Sequence, residues 1–331
     1  MFLRLFRGTG PGAMMLIFIS ACLVWLNAGL EPRLPESFHY DYDPMPLYSL
    51  MRSLAMMSST WSTIFSFILV LLMTFLLVNF NTVFFFINER TFLPSVIYVL
   101  LTGLFPSYQV FNPVLPATLL LMIALRRIMD AYRRNGTAYN FFDASILIST
   151  GSLIYANLIW FGLLSLVGIA LLRTVSLKEV LLALLGLCTP PAITTGIFYV
   201  AGKDLGALLS TAKYNLFGDA GSYYFSRVTV AGLVVIGLVV LISVFYLFSV
   251  INSKKIRSRK TFWLIIWVLL ISLAVYFTVP SVSVEVIYIA AIPVSYLLSH
   301  YFVFSKKKLL PEIFFTAIII TTAAIQILSV I

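Results

Sequence analysis

Between Trp61 and Phe86 the chain runs without a single charged side chain, and several other stretches do nearly the same. An apolar run of about 20 residues is long enough, as a helix, to cross a hydrocarbon core about 30 Å thick. Lipid offers no hydrogen bonds to backbone groups, so a chain made of such runs has to fold as a bundle of helices. The composition fits: of 331 residues 61% are hydrophobic and only 10% charged, with a mean hydropathy of +1.04, whereas soluble domains carry about a quarter charged residues. The expected fold is therefore all-α, a single integral membrane domain spanning 1–331 with no separate soluble part. The net charge of +10 could suggest nucleic acid, but the cations sit in short segments between apolar runs and not on one soluble face, which excludes that partner class. Cys22 and Cys188 both lie in apolar runs, so neither a disulfide framework nor a thiolate metal site is expected.

Lys and Arg stay on the cytoplasmic side of a membrane, so their positions give an orientation. The parse yields about eleven crossings. The first is Pro11 to Leu30, after Arg4 and Arg7, and the second lies in Trp61 to Phe86. The runs Thr91 to Leu125 and Ala144 to Leu172 are too long for one helix and short for two. Each is flanked by Arg or Lys at both ends, so each must cross an even number of times and form a hairpin, with arms of roughly 15 to 17 residues. Pro106, Asn112, Pro113 and Pro116 mark the tip of one hairpin, and Ala156 with Asn157 the tip of the other. The later spans are Val180 to Gly202, Val228 to Val250, Phe262 to Thr278, Val286 to Phe304 and Ile313 to Ile331, separated by the basic loops Lys254 to Lys260 and Lys306 to Lys308. All but five of the 22 Lys and Arg fall on the cytoplasmic side, the exceptions being Arg33, Arg52, Lys203, Lys213 and Arg227. This places the N-terminus in the cytoplasm and the C-terminus in the periplasm of a bacterial inner membrane. Two outer loops result, 31–60 and 203–227.

Chemistry has to reside in those loops. The first holds His39, Asp41 and Asp43; in an extended segment the two carboxylates project to one side, where they could take a proton from a nucleophile or bind a divalent cation. The same residues also describe a solvated acidic loop. An amphipathic stretch, Leu47 to Met57, follows and could lie in the interface. The second loop combines Lys213 and Arg227 with Tyr214, Tyr223 and Tyr224, residue types suited to a phosphate and a sugar ring, though Tyr and Lys also form ordinary interfacial belts. On the other side, Arg126 and Arg127 face Asp143 across a short loop and are expected to tie the two hairpins together, a structural role shared by Glu89 with Arg90 and by Lys178 with Glu179. Glu285 and His300 lie near span boundaries, where no proton path is expected; Pro190 and Pro191 interrupt the seventh span. The chain contains no Walker loop, dinucleotide glycine fingerprint, His-Glu-x-x-His or Cys/His cluster, and no metal site is expected from those motifs.

At Asn88-Glu89-Arg90-Thr91-Phe92-Leu93-Pro94, at Leu125-Arg126-Arg127, and at Phe142-Asp143-Ala144-Ser145 with Gly151-Ser152-Leu153, the chain resembles an uncharacterised family of polytopic inner-membrane proteins from Bacteroidota. Its layout is also loosely similar to the GT-C glycosyltransferases, which use polyprenyl-phosphate sugars. That resemblance implies a catalytic acid in the loop after the first helix, matching Asp41 or Asp43, and a donor-covering loop after the seventh, matching 203–227. It implies glycosyl transfer at the periplasmic face with a polyprenyl-phosphate sugar as the partner. The chain departs from that class in its short outer loops and in lacking a periplasmic domain after the spans. The competing expectation is a non-enzymatic scaffold or assembly subunit whose loops contact other envelope proteins.

Overall fold

A computed structural model describes the chain apart from residues 1–2, 4–5, 7, 9, 33–37, 56–57, 85–86, 88, 90, 133–137, 174, 222–224 and 329–331, and the side chain of residue 138. The described residues are helical, with no strand. In order they form α1 (Pro11–Val24), α2 (Leu26–Leu30), α3 (His39–Tyr42), α4 (Pro46–Ala55), α5 (Ser59–Phe84), α6 (Leu93–Thr102), α7 (Val114–Asp130), α8 (Ala138–Ser152), α9 (Leu163–Leu172), α10 (Leu177–Val200), α11 (Leu205–Phe217), α12 (Arg227–Val250), α13 (Ile256–Thr278), α14 (Ile287–Phe304) and α15 (Leu309–Leu328), with short 3-10 turns between some of them. Among the described residues six stretches are long and apolar enough to cross a membrane: Ser59–Phe84, Leu177–Val200, Arg227–Ser253, Ile256–Thr278, Val284–Phe304 and Leu309–Leu328. Pro11–Val24, Leu93–Thr102 and Ala156–Leu172 are apolar but shorter. Several apolar helices packed in this way suit a multi-pass integral membrane protein.

Several boundaries differ from the sequence expectation. The first span is broken at Trp25 into α1 and α2. The hairpin arms are unequal: α6 has 10 residues and α7 has 17, so α6 reaches about 15 Å and α7 about 25 Å. Gly103 ends α6 where a Cβ would run into Val24 and Thr322, which brings α1 and α15 close to the break. Proline at the N-terminus of α6 and Pro116 in the first turn of α7 cost little, because those N–H groups have no helical partner anyway. The stretch Lys254–Lys260 is not a loop, since α13 begins at Ile256 and runs through Arg257, Arg259 and Lys260. The stretch from Leu47 is a helix as its amphipathic pattern suggests, and the segment 203–227, expected to be a loop, contains the helix α11.

Irregular backbone inside a packed bundle survives only when its buried polar groups are satisfied by protein. Between α6 and α7 this condition is met by side chains. Gln326 donates to Gly103 O at 2.7 Å, Tyr288 to Tyr108 O at 2.8 Å, and Asn112 to Tyr108 O and Val110 O at 3.2 and 3.1 Å, while Ser62 Oγ accepts from Phe111 N–H at 3.1 Å. Asn112 Oδ1 then caps α7, accepting from Val114 N–H and Leu115 N–H. On the outside of the bundle, α10 buries a stripe of Glu179, Ala183, Gly186 and Pro190. A Cβ on Gly186 would stand 2.6 Å from Phe142 O and 2.8 Å from Ser145 Cβ, so α10 packs on α8 through small residues, as membrane helices do. The carbonyls near Pro190 and Pro191 are used by Thr194 and Thr195, whose hydroxyls donate to Pro190 O and Pro191 O.

The segments between helices sort into two groups by contact. Phe38 stacks on Tyr108 at 4.7 Å, His39 on Tyr214 at 4.3 Å, Asn157 donates to Asn215 O and Ser281 Oγ, and Tyr155 donates to Glu285. At the other end, Arg257 lies over Phe84, Lys260 over Tyr132, Lys254 over Phe304, and Arg127 faces Asp143. Segments that the charge pattern puts on one side thus meet at one end of the bundle, and those it puts on the other meet at the opposite end.

Candidate functional site

The site forms where the segment from Phe38 to Asp43 is pressed against α11. Asp204 caps α11, its carboxylate accepting from Gly206 N–H at 2.7 Å, and Asn215 is the helix residue that is buried. α3 is one turn of helix, His39–Tyr42, and this changes what the acidic pair can do. In an extended chain residues i and i+2 share a side; in a helical turn they diverge by about 200°. Asp41 turns inward and Asp43 turns to α11, with Tyr42 between them 71% exposed.

Asp41 is buried and fully engaged. Its Oδ2 accepts from Phe38 N–H at 3.2 Å and its Oδ1 from the Tyr48 hydroxyl at 3.0 Å. Arg52 reaches the carboxylate with Nε at 3.6 Å and donates from Nη1 to Asp41 O at 2.9 Å. Burial pushes the Asp41 carboxyl above the usual aspartate range, against the opposing pull of Arg52, Tyr48 and Phe38 N–H. The residue is a knot that holds α3 on α4. His39 is likewise occupied: its Nε2 lies 3.1 Å from Tyr214 O, and the ring stacks on Tyr214. Gly218 permits that approach, since a Cβ there would stand 2.6 Å from His39 Cε1.

Asp43 is different. Its Oδ1 accepts from the Thr211 hydroxyl at 2.8 Å and its backbone carbonyl from Asn215 Nδ2 at 2.6 Å, while Oδ2 carries no hydrogen bond. The carboxylate lines an open groove of about 720 Å³ together with Tyr42, Ser210, Lys213, Tyr214, Phe217 and Gly218. The lining therefore offers a half-buried carboxylate, an ammonium and two exposed tyrosine rings. Arg227 is exposed at the start of α12 and does not line the groove. Tyr223 and Tyr224 lie outside the described residues. Among the described residues no group of three or more His, Cys, Asp or Glu side chains is placed to hold a metal ion, and the divergence of Asp41 and Asp43 removes the pair that could have begun one.

A polar cluster lies beside the first outer segment. Glu285 is 2% exposed and accepts from the Tyr155 hydroxyl at 3.1 Å and from Ser283 N–H at 3.0 Å, with no cation among the described residues in ion-pair reach. The Tyr40 hydroxyl and Asn157 Oδ1 are buried nearby without partners, and burial raises the Tyr40 hydroxyl well above its ordinary range. Sequence reasoning placed Glu285 on a rim and gave it no role. The available signal was a lone acid between two charge-free runs, opposite a tyrosine at a hairpin tip. At the other end of the bundle Arg127 Nε stands 3.9 Å from Asp143 Oδ2, both side chains about half exposed, which joins the hairpins by a contact worth about 0 to 1 kcal/mol. Arg126 beside it borders a small apolar pocket with Phe80 and Phe84. Arg173 and Glu179 make the closer pair, at 2.6 Å.

Comparison of the chain with family models, with curated proteins and with solved structures gives no match, so the groove and its side chains carry the functional argument.

Proposed function

We propose that the protein crosses the bacterial inner membrane about eleven times, with its N-terminus cytoplasmic and its C-terminus periplasmic, and that the groove opens to the periplasm and receives the head of a lipid-linked sugar. In this reading the short arm α6 counts as a crossing because the neighbouring helices bury all of its residues, and α9 counts together with the 3-10 turn that precedes it in the apolar stretch Ala156–Leu172. The observation that carries the proposal is the shared lining: Asp43, Lys213, Tyr42 and Tyr214 line one open groove, while Asp41 is spent on internal bonds. The arrangement suits GT-C-like glycosyl transfer. Asp43 takes the proton of an acceptor hydroxyl, whose oxygen attacks the anomeric carbon. The bond from that carbon to the lipid phosphate breaks, and the polyprenyl phosphate leaves with the electron pair. Lys213 balances the leaving charge, and the tyrosine rings hold the sugar.

The test is the glycan. Asp43→Asn and a deletion strain should lose a specific envelope glycan and accumulate its polyprenyl-linked sugar. Unchanged glycans and lipid-linked pools in both would overturn the transferase reading. One observation favours a second reading, an assembly subunit for other envelope proteins: Asp43 also binds Thr211 and Asn215 and thereby fastens the first outer segment to α11. That role predicts a lost complex and intact glycan chemistry when Asp43 is changed.

A further inference from the structure

The end of the bundle opposite the groove holds a charge arrangement that is incomplete as it stands. Lys254 and Lys255 immediately precede α13, whose opening turns add Arg257, Arg259 and Lys260. No side chain caps this N-terminus and no acidic residue stands in its first turn. The positive end of a helix dipole favours anions and disfavours cations, so five cations gathered there need a counter-charge. None of the five forms an ion pair with a described carboxylate. Three lie over rings instead, Lys254 Nζ 3.9 Å from the centroid of Phe304, Arg257 5.6 Å from Phe84 and Lys260 5.7 Å from Tyr132. Burial lowers the Lys254 ammonium from its ordinary value, the direction expected of a cation without a partner.

An independent observation lies at the same place. Ser258, in the first turn of α13, is 5% exposed, and its hydroxyl has no hydrogen-bond partner. Ser299 and His300 on α14 are fully buried, and Ser299 Oγ and both His300 ring nitrogens are also unpartnered. The His300 ring is 5.0 Å from Phe262, one turn beyond Ser258 on the same helix face, and 5.1 Å from Phe304 under Lys254. Hydroxyls, an imidazole N–H and an ammonium can all donate. A metal cation would be repelled by Lys254, so the missing partner is an anion rich in acceptor oxygens. Beside the cations, α12 and α13 present Phe248, Ile256 and Trp263 to the outside, with Phe248 and Trp263 5.6 Å apart. Cations bordering an exposed apolar face match a phosphate bordering acyl chains.

We infer that the N-terminus of α13, with Lys254 and the Ser258 hydroxyl, binds the phosphate of an anionic phospholipid. Lys254 and the first-turn N–H groups take the phosphate oxygens, Ser258 donates from behind, and Trp263 with Phe248 meets the upper acyl chain. The inference does not depend on the outer groove.

The full-length protein in a neutral detergent would be melted with phosphatidylglycerol, phosphatidylcholine or inorganic phosphate added. Phosphatidylglycerol should raise Tm by several degrees and the other two should not. The shift should fall by at least half in Ser258→Ala and in Lys254→Gln and persist in Lys307→Gln, an exposed cation on the neighbouring basic segment. A ring-15N spectrum adds a readout that does not depend on stability. The chain has two histidines, so His39→Gln isolates the His300 signal, which should move with phosphatidylglycerol alone. An equal shift from phosphatidylcholine, an equal loss in all three variants, or the full effect from inorganic phosphate would overturn the inference.

Discussion

Asp41 and Asp43 stand two residues apart and do opposite work, because one helical turn sends them to different surroundings. Asp41→Asn should reduce the amount of folded protein, since the Phe38 N–H and Arg52 lose a charged acceptor, and should leave activity per folded molecule near wild type. Asp43→Asn should do the reverse, abolishing glycan transfer while lowering Tm by only a few degrees; Thr211→Val, which removes one hydrogen bond to the same carboxylate, should cost about 1 kcal/mol of stability. Membrane-fraction yield and Tm, set beside glycan analysis, separate the two behaviours. The pH dependence of Asp41 follows from its raised titration. Folded Asp41 keeps its proton to a higher pH than the unfolded chain, so between the ordinary value of 3.8 and the raised folded value the native state binds more protons and stability falls as pH rises. The Tm of the wild type minus that of Asp41→Asn should therefore increase as pH drops through that window. A decrease would mean that Arg52 outweighs burial at this carboxylate.

The helices themselves follow rules that can be read from residue order, and their failures have local causes. That each of the runs Thr91 to Leu125 and Ala144 to Leu172 holds more than one helix was legible from its length, and Pro106, Asn112 and Asn157 fall in the breaks between the helices. Arm lengths were not legible. Where α6 stops depends on Gly103 meeting Val24 and Thr322, two residues far away in the chain. The start of α13 was misplaced because charge was equated with loop, although Arg and Lys are good helix formers and lie at the edge of the apolar region. α11 was hidden because its capping Asp204 and mixed composition look like any polar loop. Gly186→Leu should lift α10 from α8 and destabilise the protein by about 1 to 3 kcal/mol, measured as a lower Tm. Asn112→Ala removes the two accepting bonds that start α7 and should cost about 1 kcal/mol or more by the same measurement.

For the whole molecule, the decisive property is that polar segments distant in the chain gather at two ends. His39 on Tyr214, Asp43 on Thr211 and Asn157 on Asn215 join the first outer segment, the second hairpin tip and α11 into one surface. Charge counting groups these segments together, and the structure brings them into contact, with Asp43, Lys213 and Tyr214 lining one groove. It could not foresee the buried Glu285 or the unpartnered Ser258 and His300, because burial is a property of the packed bundle and not of spacing. Accessibility to a membrane-impermeant thiol reagent tests the shared face most directly. With Cys22 and Cys188 replaced by serine, Tyr42→Cys and Leu209→Cys should both be labelled from the periplasm in intact cells, and Lys307→Cys only after the inner membrane is opened. Labelling that puts Tyr42→Cys and Leu209→Cys on opposite faces would contradict the groove, the sidedness and the proposed chemistry together.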